Sequence, residues 1–220
     1  MRVLFNVYKE TIAYEKYFFI ILKPTQTMKH FFYLALIFIS VNITVDAQDL
    51  RNICPDRNHP HAIDLGTGVL WACCNVGASD PLDYGDTYEW GTTRVWRNYR
   101  TQYIAENVTI NNISGSEYDV ARMKWGGKWR MPTIDEVEKL YDRVTSGRYT
   151  WGSDPVLIFK GNGKQIVLPS ENEEGNYWSS QRYSSDKENA FYFGFDIWHN
   201  YYHGKKSCND GCVIRPVRDK

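Results

Sequence analysis

Apolar positions alternate with polar ones over short stretches along most of this chain, and only one stretch keeps a helical spacing. AIDLG and VLWACC lie on either side of Gly66-Thr67-Gly68 and predict a hairpin. VLIFK at 156–160 and QIVL at 165–168, separated by GNGK, predict a second one. AFYFGFDIW and the closing CVIRPV read as further strands. In the first of these, Phe191, Phe193 and Phe195 are expected in the core, and the residues that follow, 198–203, on the surface. Residues 80–116 are long, polar and without periodicity.

The helical spacing lies at 134–145, where Ile134, Val137, Leu140, Tyr141 and Val144 share one face. Thr133 and Glu136 stand three apart, as a capping box requires, and Pro132 fixes the backbone just before them. Ser146-Gly147 is expected to end this helix. A shorter one is expected over 118–124. In KWGGKWRMPT, residues 124–133, Trp125 and Trp129 are expected as core aromatics, Gly126-Gly127 as a turn and Arg130 as an anchor for loop carbonyls. Thr133 and Glu136 complete that scaffold, joined elsewhere by Trp71, Trp178 and Arg215.

The longest apolar run, Phe31 to Val41, changes the picture of the N-terminus. Lys29 precedes it and Val45-Asp46-Ala47 follows as a small-residue cleavage site, which is the pattern of a secretory signal. The run is about half of the ~20 residues that a membrane span needs. The domain division expected is a leader over 1–27 ahead of a start at Met28, a signal peptide over 28–47 and a single domain over 48–220. The expected location is outside the cell or in the envelope, periplasmic or outer surface, with no stable membrane span after cleavage.

Without the first 47 residues, 21 basic residues face 23 acidic ones. A near-neutral domain with no basic stripe excludes nucleic acid as a partner. Export permits disulfides among Cys54, Cys73, Cys74, Cys208 and Cys212: Cys208 with Cys212 across CNDGC, and Cys54 with either Cys73 or Cys74. Buried thiols are the alternative.

Four stretches in fixed order, HPHAIDLGTGVLWACCNVGASDPLDYGDTYEWG, SGSEYDVARMKWGGKWRMPTIDEVEKL, VLPSENEEGNYWSS and VIRPV, resemble the exported Fibrobacter succinogenes major paralogous domain and its DUF1566 relatives, frequent in Bacteroidota. The resemblance runs from about Cys54 to Val217. It implies an α+β domain of C-type-lectin-like fold, with small antiparallel sheets, one well-defined helix, long loops and adjacent termini. WRMPT before a helix is also similar to a stretch of formylglycine-generating enzymes on that fold. Two places differ from the pattern: a short first turn in LGTGVLWACC, and the CNDGC insertion.

Candidate chemistry is sparse. The motifs around the copper-binding cysteine pair of formylglycine-generating enzymes are not recognisable near Cys208 and Cys212. His59 and His61 with Cys73 and Cys74 match no recognised zinc spacing, so no metal or cofactor is expected. Glu171, Glu173 and Glu174 read as a solvated face, and Ser179-Ser180 lacks a nucleophile elbow. FDIWHNYYHGKKSCNDG, read as one loop, gathers Trp198, His199, Asn200, Tyr201, Tyr202, His203 and Asn209, the residue types that recognition surfaces use. The expectation is a non-catalytic module that binds a glycan or a protein ligand through that loop, with 80–116 as a secondary surface. The alternatives are a metal-dependent, formylglycine-generating-like enzyme that uses the cysteines, and a structural envelope protein.

Overall fold

In a computed structural model of the chain, the described residues are Cys54, 60–96, 108–143, 145–151, 154–196 and 201–220, with 143 and 145–151 described by their backbone. The expected leader, the signal peptide, His59, and the recognition residues Trp198, His199 and Asn200 lie outside them. All the described residues belong to one compact unit, Asp46–Lys220.

The architecture is α+β and rich in sheet. Among the described residues, nine strands form three antiparallel sheets of three. β1 (Ala62–Asp64) and β2 (Val69–Ala72) form the first hairpin, and β9 (Val217–Asp219) pairs with β2, so one sheet joins both ends of the domain. β3 (Thr145–Trp151), β4 (Asp154–Gly161) and β5 (Lys164–Pro169) make the second sheet. β6 (Glu174–Arg182), β7 (Asn189–Asp196) and β8 (Tyr201–Ser207) make the third. Among the described residues, two helices, α1 (Val120–Trp125) and α2 (Ile134–Arg143), precede the second sheet.

Two expectations need correction. The helix expected over 134–145 stops at Arg143, and Ser146-Gly147 is not a turn but part of β3, where it pairs with Phe159 and Ile158. The weak local turn signal yields to a full ladder with β4, whose hydrogen bonds need a partner strand. The stretch read as one loop over 195–211 contains β8, which pairs with β7 from Phe195↔Tyr201 to Asn189↔Ser207. Its mixed polar composition hid a strand whose stability comes from its partner.

The core has two clusters. One combines Ile63, Leu65, Val69 and Trp71 of the first hairpin with Val137 and Leu140 of α2, Phe159, Leu168, Tyr177, Phe193 and Phe195. Phe191 is half-buried against its edge. The other gathers Tyr88, Trp90, Val108 and Ile113 with Trp178, Cys208, Cys212 and Ile214. Residues 80–116 are therefore partly scaffold: Tyr88 and Trp90 are buried, and the Trp90 indole donates to the carbonyl of Ser179 at 3.0 Å.

β6 carries an irregularity between Trp178 and Arg182 that shifts its register against β7. The backbone groups freed there find other partners. Ser180 N–H donates to Pro132 O at 2.7 Å, and Ile113 N–H donates to Ser180 O at 2.9 Å. The Ile134 N–H, one of the unsatisfied donors at the start of α2, reaches the Gln181 side chain at 2.8 Å. The bulge thus locks the third sheet onto the start of α2.

Candidate functional site

The start of α2 is a closed polar unit. Thr133 N–H donates to Glu136 Oε2 at 2.9 Å, and Glu136 N–H donates back to Thr133 Oγ1 at 3.3 Å, the reciprocal pair of a capping box. The Arg130 guanidinium grips the same carboxylate with two hydrogen bonds, 2.9 and 2.7 Å, and reaches Asp219 Oδ1 on β9 at 2.7 Å. Arg130 was expected to hold loop carbonyls, yet its shortest bonds run to carboxylates, and Met131 O is a long contact at 3.4 Å. Two planar carboxylate partners suit the guanidinium fork better than isolated carbonyls. Trp129 is buried, meets the half-buried Trp125 edge to face at 5.4 Å, and lies under the Arg218 guanidinium. Gly126 and Gly127 take positive φ of 68° and 58° between α1 and Trp129, a backbone that favours glycine.

This unit sets the direction of α2, and hence what its outer face presents. Glu136→Ala removes the cap partner and one side of the Arg130 pair together. It is expected to lower stability by about 2 kcal/mol, with Glu136→Gln costing less; urea unfolding measures both.

Past the cap, α2 runs alongside β8. Val137, Glu138, Tyr141 and Asp142 of the helix and Tyr201, Tyr202 and His203 of the strand line a groove of about 210 Å³. Tyr141 and Tyr201 stack face to face, with centroids 4.7 Å apart and planes 15° apart. The inner side of Tyr141 packs edge-on against Phe159 and Phe193, which fixes its ring. Tyr201 is 53% exposed. At the rim, His203 Nδ1 stands 4.0 Å from Glu138 Oε1. Burial, and then the carboxylate of Glu174, push the Tyr202 hydroxyl up to about 12, so it stays neutral and can donate or accept. The groove therefore offers a fixed aromatic face, two carboxylates as acceptors, and a tyrosine and a histidine as adaptable hydrogen-bonding groups.

The structure divides the residues that the sequence grouped together. Tyr201, Tyr202 and His203 meet in the groove. Asn209 does not join them, because β8 carries the chain about 20 Å from Tyr201 to the turn after Ser207. There the Asn209 carbonyl accepts from the Trp96 indole at 3.0 Å. Sequence reasoning missed Glu138, Tyr141 and Asp142, since Tyr141 read only as part of an apolar helix face. Its signal was a tyrosine flanked by carboxylates on both sides of that face.

No disulfide bond joins the five cysteines in this structure. Cys208 and Cys212, expected as a pair, are buried and held through their backbones. The Cys208 and Cys212 carbonyls accept from Trp90 and Tyr88 N–H, while Cys208 N–H donates to Glu188 O. Burial pushes the Cys212 thiol up. At the opposite end of the sequence, Cys54, Cys73 and Cys74 gather. Cys73 Sγ lies 3.7 Å from Cys74 Sγ, and a hydrogen bond with Cys73 followed by burial raises the thiols of Cys54 and Cys74.

Arg215, fully buried, connects three parts of the fold. Its Nε donates to Asn75 Oδ1 at 2.8 Å, Nη1 to Ala72 O at 3.0 Å and Nη2 to Val167 O at 2.7 Å. Trp71 and Trp178 are likewise fully buried.

No helix among the described residues is long and apolar enough to cross a membrane. No curated protein and no solved structure matches the chain significantly. The model of the Lcl C-terminal domain matches residues 61–218, from the residue before β1 into β9, and the chain belongs to that family.

Proposed function

We propose that this chain is an exported, non-catalytic recognition module that binds an uncharged glycan in the groove between α2 and β8. The observation that carries the reading is the Tyr141–Tyr201 stack at the groove, with Glu138, Asp142 and His203 beside it. A flat aromatic face covers the apolar side of a sugar ring at low entropic cost, and carboxylates accept from its hydroxyls. Glu138 and Asp142 would repel sulfated or uronic sugars, so the preference is for neutral ones. The scaffold we assign is C-type-lectin-like and of the Fibrobacter paralogous type, supported by the pairing of the first and last strands in one sheet and by the order of the quoted motifs. Support for the non-catalytic part comes from Cys208 and Cys212, whose buried thiols offer no surface to a substrate.

The test is a glycan array, with surface proteins printed beside it, probed with the wild-type chain and with Tyr201→Ala/Tyr202→Ala. Binding to neutral glycans is expected, weakened at least about tenfold in the variant, the equivalent of ~1.4 kcal/mol. Glycan binding that the variant retains in full would sink the groove as the site, and binding confined to proteins would sink the glycan.

A further inference from the structure

We propose that Cys54, His61, Cys73 and Cys74 form a closed zinc(II) site that clips the segment ahead of β1 onto the first sheet. The register of the first hairpin pairs Ala62 with Ala72, which sets His61 opposite Cys73, one step beyond the ladder. Cys73 N–H donates to His61 O at 3.0 Å, and His61 N–H points at Cys73 Sγ at 3.3 Å. Side chains follow: His61 Nδ1 lies 3.8 Å from Cys73 Sγ. Cys54 comes from outside the hairpin, and its sulfur, the His61 ring nitrogen and the Cys73 sulfur all lie within 4.8 Å of one another. Cys74 Sγ, 3.7 Å from Cys73 Sγ, stands outside that trio and becomes the fourth donor by turning its side chain toward it.

The His61–Cys73 and Cys73–Cys74 spacings are those of a tetrahedron around zinc. With zinc–sulfur and zinc–nitrogen bonds of about 2.3 and 2.0 Å, ligand atoms stand roughly 3.5–3.8 Å apart. Three sulfurs and an imidazole select a soft or borderline ion over calcium or magnesium.

Charge gives a second and independent reason. Arg215 is a fully buried cation whose three hydrogen bonds run to uncharged oxygens. Zinc binding to three thiols and a neutral imidazole releases three protons and leaves a cluster of net charge −1. That cluster supplies the guanidinium with a counter-charge, which its three partners among the described residues do not. Four protein ligands leave no open position, so the site is structural rather than catalytic.

The full chain, purified without chelators, is assayed for zinc by mass spectrometry and by absorption at the zinc edge. The expected result is about one zinc per chain with three sulfur ligands and one nitrogen. His61→Ala, which alters a half-buried side chain, is expected to lower zinc occupancy at least about tenfold under dialysis against a competing chelator. Cys73→Ser is expected to abolish it. Wild-type chain that stays below one-tenth zinc after incubation with the metal would overturn the proposal. So would a Cys54–Cys73 or Cys73–Cys74 disulfide in the peptide map, or His61→Ala holding zinc as firmly as wild type.

Discussion

Arg215→Met is expected to destabilise the domain by about 3 kcal/mol, although methionine fills much of the same space. The substitution removes three hydrogen bonds at once and leaves Asn75 Oδ1, Ala72 O and Val167 O buried without their donor. Each orphaned acceptor costs about 1–3 kcal/mol, and the gain from no longer burying a cation offsets part of the sum. The three acceptors lie after β2, at its end and on β5, so their loss loosens two sheets together. Arg215→Lys keeps the charge, but a single ammonium cannot reach three oxygens spread around a planar fork. It is therefore expected to recover less than half of the loss. Urea unfolding of the three proteins measures this. Equal stability of Met and wild type would show that those oxygens find other donors.

Trp178→Ala is expected to cost about 4 kcal/mol, the usual range for removing a buried tryptophan. For a domain of this size that lowers Tm by about 8–16 °C. Trp178 fills the centre of the second cluster, with its ring edge-on to Tyr192. Its indole N–H donates to Tyr88 O at 2.7 Å, so the substitution opens a cavity and leaves that carbonyl with the Cys212 N–H, at 3.1 Å, as its donor. Tyr88 in turn is bonded through its backbone to Cys212, and the damage passes to the turn before the closing residues. Trp178→Phe keeps most of the volume and loses the N–H, and is expected to cost about half as much. Calorimetric melting separates the two variants. A Phe variant as damaged as the Ala variant would place the energy in the hydrogen bond rather than in the packing.

Local signals in the sequence located the local structures. The Thr133–Glu136 spacing marks the start of α2, and the turns Gly66–Gly68 and Asn162–Gly163 mark two hairpins, with Asn162 at φ 51° and Gly163 at φ 68°. β3 and β8 were not legible, because Ser146, Gly147, His203 and Lys205 carry no strand signal of their own and are ordered by β4 and β7. The groove was half legible. Tyr201, Tyr202 and His203 stood out by composition, whereas Glu138, Tyr141 and Asp142 belong to it only because α2 packs on the third sheet. Cys73 and Cys74 were placed near the hairpin by counting along the chain. That Cys54 lies beside His61 and Cys73 is a proximity that no spacing rule encodes.

The proposed function rests on one face, the groove between α2 and β8. The measurement that tests it most directly is amide hydrogen exchange of the full chain, free and saturated with the tightest-binding neutral glycan from the array. The account expects slowed exchange over residues 137–142 and 201–203, with the first sheet unchanged. Protection that falls instead on residues 80–96, or on the turn around Asn209, would contradict it.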